Sequence, residues 1–101
     1  MVVTLTPSMH LVARADVLGS AVGDDTTILL DPSAGRYYSV EGAGVAVWAG
    51  LAEPTTLSAL CARVEAEYAV DHATCLRDVE AIVIELIQSG LVRLVTPPDA
   101  R

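Results

Sequence analysis

The amino-acid sequence predicts an α+β domain: a three-stranded antiparallel sheet, then three helices, then a short C-terminal extended segment, an order that is winged-helix-like. Three observations lead there. Alternating or β-branched apolar runs bounded by turn residues fill positions 9–40. From Gly42 to Ser89 the apolar residues recur instead at the helical spacing of about 3.6. The chain has 101 residues, 52% hydrophobic and 19% charged, which suits one domain with a modest core and excludes a largely disordered chain.

Residues 1–8 read as a flexible arm ending at Pro7-Ser8. Positions 10–17 (HLVARADV) alternate weakly, with Leu11, Ala13 and Ala15 on one face, and predict the first strand. Gly19 to Asp25 reads as a turn-rich link. Thr26 to Asp31 (TTILLD) is the second strand. Asp31-Pro32-Ser33-Ala34-Gly35 is a dense turn signal, and Arg36 to Val40 (RYYSV) returns as the third strand of a hairpin. The first helix runs from Gly42 to Leu51, with Val45, Trp48 and Leu51 at helical spacing and Pro54 beyond its end. Thr55 or Thr56 caps the second, whose Leu57, Leu60, Cys61, Val64 and Tyr68 fit an amphipathic stripe. Asp71 caps the third and longest helix, and Gly90 closes it. Leu91 to Val95 (LVRLV) is the final extended segment. The domain is thus 9–95, and 96–101, with two prolines, is a tail.

Charge excludes several functions. The chain has no lysine; its basic residues are six arginines, against 13 acidic residues, for a net charge of −7. Nucleic-acid binding needs clustered cations, and these arginines are scattered from Arg14 to Arg101. No secretory signal is present, and the longest apolar run, Ala43 to Ala52, is too short to cross a bilayer. A cytoplasmic location is expected, with Cys61 and Cys75 as reduced, buried core residues.

Catalytic chemistry has little to work with. His10 and His72 are the only histidines, read as solvent-facing or as neighbours of a cap. There is no nucleophile elbow, zinc-binding HExxH or phosphate-binding loop. Gly42-Ala43-Gly44 is similar to the start of a dinucleotide loop, but Val47 stands where its third glycine belongs. Asp24-Asp25 reads as a solvated turn. No cofactor or metal is expected, and the chain reads as a binding module rather than an enzyme.

Two features point to binding. On the third helix, Cys75, Leu76, Val79, Ile82, Val83, Leu86 and Ile87 cover roughly 140°, and Ile84 lies about 60° beyond. That is wider than a helix needs merely to cover a core, so either the helix is central or one flank meets a second partner. In Arg36-Tyr37-Tyr38-Ser39-Val40, adjacent tyrosines send one ring to each face. If this strand is an edge, its free N–H and C=O groups can pair with an extended peptide.

The run LLDPSAGRYYSVEGAGVAVWAGL resembles the PqqD-like family: a strand ending in Asp, a Gly-Arg-Tyr-Tyr return, a small-residue stretch, then a helix. TLSALCARVEAEYAV is similar to the family's second helix, and CLRDVEAIVIELIQSGLV to its third. The match covers about Ile28 to Val92. It departs where most relatives carry Asn and then Thr or Ser; Glu41 and Ala43 stand there, which removes a side-chain cap from the first helix. The resemblance implies a recognition element for ribosomally made precursor peptides, similar to stand-alone proteins of lasso-peptide pathways. It implies that the leader segment adds antiparallel to Tyr37, Tyr38, Ser39 and Val40, in a groove walled by a flank of the third helix around Leu76, Arg77, Asp78 and Ile84. Arg36 and Arg77 would flank that groove. Asp78 would pair with a basic leader residue, stay exposed, or pair with Arg36. The implied partners are the leader and a modifying enzyme such as a leader peptidase or cyclase. Two other readings stand beside this one: a winged-helix DNA-binding regulator, and a protein-interaction subunit without a leader.

Overall fold

The computed structural model describes Leu5, Thr6 and residues 9–95. The C-terminal tail and most of the N-terminal arm lie outside the described residues. In chain order the elements are β1 (His10–Ala13), β2 (Leu18–Ala21), β3 (Thr26–Asp31), β4 (Arg36–Glu41), α1 (Ala43–Gly50), β5 (Thr55–Thr56), α2 (Leu57–Glu67), α3 (His72–Gln88) and β6 (Val92–Val95). The architecture is α+β, with three helices following the strand-rich N-terminal part.

The strands form two antiparallel sheets, ordered β5-β1-β6 and β2-β3-β4. This refines the expectation of one three-stranded sheet built from residues 10–17 and the hairpin. The weak alternation ends at Ala13. β1 instead pairs with the C-terminal β6, Leu11 opposite Leu94 and Ala13 opposite Val92. The third member of the hairpin sheet is β2, within the stretch expected to be a link. Gly19 looks like a turn residue in sequence, but it is a packing residue. A β-carbon there would stand 3.1 Å from Trp48 Nε1 and 3.5 Å from Leu29 Cδ2. The turn itself comes later, where Val22 N–H donates to the Thr26 carbonyl at 3.0 Å and Gly23 takes a φ of 127°.

Each helix start follows local chemistry. α1 has no side-chain cap; Gly42 turns the corner from β4 at a φ of 54°, and its N–H donates to Asp25 Oδ1 at 3.1 Å. Thr56 Oγ1 accepts from Ala59 N–H at 3.1 Å to start α2, and Asp71 Oδ2 accepts from Thr74 N–H at 3.1 Å to start α3. α3 ends in a Schellman pattern: Leu91 N–H reaches the Leu86 carbonyl and Gly90 N–H the Ile87 carbonyl, both at 3.0 Å, with Gly90 at a φ of 78°.

The core lies between the helices and the inner faces of both sheets. Leu11, Leu29, Leu51, Leu57, Leu60, Leu91, Val47, Val79, Val83, Cys61 and Cys75 are essentially inaccessible. Each leucine so buried contributes about 2 kcal/mol against chain entropy. Leu5, within the expected arm, also packs on this core. The cysteines are free thiols, as expected. Cys75 Sγ lies 3.6 Å from the Cys61 carbonyl oxygen, and desolvation pushes the Cys61 thiol up to about 11, so it stays protonated and unreactive.

Candidate functional site

β4 pairs with β3 along its whole length, from Asp31 opposite Arg36 to Thr26 opposite Glu41. Its other side has no strand neighbour among the described residues. β4 is therefore an edge strand, and its outward N–H and C=O groups are open to a further strand. Alternation sets its two faces. Tyr38 and Val40 stand opposite the buried Leu29 and Thr27 and face inward. Tyr37, opposite Leu30, faces the other way and is 72% exposed.

A groove of about 180 Å³ runs between this edge and α3. Tyr38 to Glu41 form the strand wall, and Ile82, Glu85, Leu86 and Ser89 form the helix wall. Leu91 and Gly44 also line it. Gly44 sits close under the strand; a β-carbon there would be 3.3 Å from Val40 Cβ. Nearer the start of α3 lies a second, more apolar pocket of about 190 Å³. Ala43, Val64, Tyr68, Val70, Cys75, Asp78 and Val79 line it. The residues Asp78, Ile82, Glu85 and Ser89 follow one another at i+4, i+3 and i+4, so both hollows lie along one face of α3.

The groove therefore has an apolar interior and an acidic margin. Glu41 and Glu85 stand at the first hollow and Asp78 at the second. No arginine lines either hollow. Among the described residues Asp78 makes no ion pair, with Arg36 or with any other cation. Asp31, by contrast, does pair with a cation: it accepts from Arg14 and from Ser33. Those bonds hold it at about 2, well below its ordinary 3.8.

The structure divides the residues named from sequence. Tyr38, Ser39 and Val40 line the groove, and Asp78 lines the adjoining pocket. Arg36 and Tyr37 belong to the same strand but not to the groove lining. Leu76, Arg77 and Ile84 do not line either hollow. At 100° per residue Ile84 stands about 160° around the helix from Ile82, and Leu76 about 120°. Leu76 and Ile84 are half-buried against the core, and Arg77 is exposed. Ile82, Glu85, Leu86 and Ser89 went unremarked as a wall. Helical spacing groups them on one face with Asp78, but does not say that this face turns to β4. His10 is half-buried in β1 with Nδ1 unpartnered, and His72 Nδ1 lies 3.1 Å from Glu65 Oε2; neither borders the groove. Among the described residues no three His, Cys, Asp or Glu side chains gather to hold a metal ion. No described helix is long and apolar enough to cross a membrane.

The family model of coenzyme PQQ synthesis protein D (PqqD) matches residues 26–92. The chain belongs to the PqqD family. The matched span begins with β3 and ends at the start of β6, so it contains both walls of the groove. Two solved structures share the fold of this PqqD-family chain. One is TbiB1 in complex with the TbiA(beta) leader peptide, 24% identical, covering 85% of this chain and 99% of the other with a TM-score of 0.74. The second is a lasso peptide synthetase B1 complexed with the leader peptide, 22% identical, covering 82% of this chain and 96% of the other with a TM-score of 0.68. A search of curated proteins gave no match.

Proposed function

We propose that this PqqD-family chain is a non-catalytic leader-binding protein. It captures the leader of a ribosomal precursor peptide by strand addition and presents it to a modifying enzyme, most simply a leader peptidase or cyclase of a lasso-peptide pathway. The observation that carries this reading is the open edge of β4 facing an apolar groove under α3. The two structural neighbours, both complexes with a leader peptide, support it.

The mechanism is backbone pairing plus pockets. An extended peptide antiparallel to β4 exchanges N–H···O=C bonds with Tyr38 to Glu41, and these supply affinity with little regard to sequence. Every second peptide side chain then turns toward α3, where Ile82 and Leu86 meet it. Antiparallel pairing puts the upstream end of the peptide at Glu41. There the chain passes Ala43 and the pocket closed by Tyr68, Val70 and Val79, which takes a large apolar or aromatic side chain. The face of α3 from Cys75 to Ser89 spans ~21 Å, room for about six extended residues. Holding the leader raises the effective concentration of the attached core peptide at a bound enzyme. This chain makes or breaks no bond.

The DNA-regulator reading has the helix order but not the charge. Arg77 on α3 is surrounded in sequence by Asp78, Glu80 and Glu85, and such a surface repels phosphate. The experiment is selection of a leader from a displayed library of natural precursor leaders, followed by titration into isotope-labelled protein. Shifts confined to Tyr38–Glu41 and to the Cys75–Ser89 face of α3 are expected. Enrichment of no leader, or shifts elsewhere, refutes the reading.

A further inference from the structure

Away from the groove-lining residues, a single guanidinium ties the hairpin that carries one wall to the end of the helix that carries the other. Arg14 follows β1 directly. Its Nη1 donates to Asp31 Oδ2 at 3.0 Å and to the Gly90 carbonyl at 2.9 Å. Its Nη2 donates to Asp31 Oδ1 at 3.2 Å, Ser33 Oγ at 2.9 Å and Asp16 Oδ2 at 2.7 Å. Asp31 ends β3 and opens the turn into β4, opposite Arg36. It is 4% exposed, and its Oδ1 also accepts from Ser33 N–H at 3.1 Å and Ser33 Oγ at 2.8 Å, so the turn is fixed around it. Gly90 follows the C-cap of α3, the groove-lining Ser89, and precedes Leu91. The Arg14 backbone N–H also donates to the Leu91 carbonyl at 3.0 Å.

Among the described residues, no other side chain bonds both the hairpin and the end of α3. The hairpin reaches the rest of the fold through its inner face, and α3 through its buried stripe. Both contacts are apolar, and apolar packing sets direction weakly. A planar fork that holds the Asp31 carboxylate together with the carbonyl just beyond the end of α3 fixes distance and angle together. Its positive charge also stands at the negative end of α3.

We infer that Arg14 is a positioning residue for peptide capture: it sets the separation of β4 from the C-terminal half of α3, and so the width of the groove, without touching the peptide. This rests on the leader-binding reading. Lysine carries the charge but not the fork. A single ammonium does not hold Asp31 and the Gly90 carbonyl in one rigid geometry. Arg14→Lys is thus the informative variant, because it keeps electrostatic stabilisation while releasing the width.

The test uses the leader enriched by the wild-type chain from the displayed library, with Arg14→Lys, Arg14→Ala and a control, Leu60→Ala, whose buried side chain lies outside the groove. Binding kinetics are measured below every melting midpoint. Arg14→Lys is expected to weaken binding about tenfold, mostly through faster dissociation, with a small loss of melting temperature. Leu60→Ala is expected to lose more melting temperature and keep wild-type affinity. Spin labels at positions 34 and 88, in the hairpin turn and near the end of α3, read wall separation without peptide. The distance distribution should be narrow in wild type and broad in both Arg14 variants. Wild-type affinity and a narrow distribution in Arg14→Lys overturn the inference while leaving leader binding intact. If Leu60→Ala weakens binding as much as Arg14→Lys does, Arg14 is merely structural, and the inference falls. A wild-type chain that enriches no leader refutes the underlying reading instead.

Discussion

The two flanks of α3 are chemically different, and the less apolar one faces the groove. One flank carries Leu76, Ile84 and Ile87, all aliphatic and half-buried against the core. The other carries Asp78, Ile82, Glu85 and Ser89, one apolar residue among three polar ones, and lines the two hollows. A small domain with little interior uses its most apolar surface to complete its own core. A surface that must hold a peptide and release it has to remain hydrated when empty, which calls for mixed polarity. Excess apolar width on a helix therefore identifies a central helix before it identifies a binding flank.

The pair of isoleucines breaks or sharpens this comparison most strongly. Ile82→Asp places a carboxylate in the groove wall, where a bound peptide would desolvate it. Leader affinity should fall at least thirtyfold, equivalent to about 2 kcal/mol, and some melting temperature is lost as well, because Ile82 also packs partly on the core. Ile84→Asp buries part of a charge against the core, and should cost about 2 kcal/mol of stability with affinity unchanged below the midpoint. Calorimetry and peptide titration on the same two samples decide it. The opposite pattern would exchange the roles of the flanks.

The same contrast shows how much was legible in the sequence. The hairpin was, because Asp31-Pro32-Ser33-Ala34-Gly35 has strong local turn chemistry. Thr56, Asp71 and Gly90 marked helix ends for equally local reasons. The assignment of the peptide-pairing strand to Tyr37, Tyr38, Ser39 and Val40 comes from the family resemblance, because the residues alone leave open whether that strand is an edge. What was not legible depended on distant partners. Gly19 stands in a strand paired with β3, and what makes glycine the fitting residue there is Trp48, 29 positions later. β1 leaves the hairpin sheet only because β6 arrives from the other end of the chain. Which face of α3 turns to β4 depends on how α1 and α2 pack beneath it, and no spacing within α3 encodes that.

Acid should weaken the hairpin side of the groove. Asp31 has its pKa lowered from 3.8 to about 2, chiefly by its bond from Arg14 and then by that from Ser33. A carboxylate with a depressed folded-state pKa contributes stability that is fully present above its unfolded value and lost as pH falls through the folded one. The contribution is therefore intact above about pH 4 and disappears between about pH 4 and 2. Asp71 is also lowered, by its bonds from Thr74, and acts in the same direction at the start of α3. Asp31→Asn should flatten the loss of melting temperature across that window. An unchanged acid slope in that variant would assign the acid lability elsewhere.

A cap away from both flanks gives the control. Thr56→Ala removes the acceptor for Ala59 N–H at the start of α2 and should cost about 1 kcal/mol. Leader affinity should not change, because Thr56 lies outside both hollows. A parallel loss of affinity would mean that α2 and the groove respond as one unit, and the distinction between the flanks of α3 would lose its energetic meaning.

The smallest effect belongs to the acidic margin, and it separates the two forces in the groove. Glu41, Glu85 and Asp78 surround apolar walls that no arginine lines. Exposed charges at such distances act through water, so each is worth a few tenths of a kcal/mol to about 1 kcal/mol. Glu85→Lys should weaken a basic leader about threefold at roughly 0.05 M salt, and the difference should vanish near about 0.5 M, where the Debye length is about 4 Å. Wild-type affinity should fall only modestly over that range, because strand pairing and the contacts of Ile82 and Leu86 are insensitive to screening. A loss of several orders of magnitude would make charge the main force, and the apolar wall of α3 would then be incidental to capture.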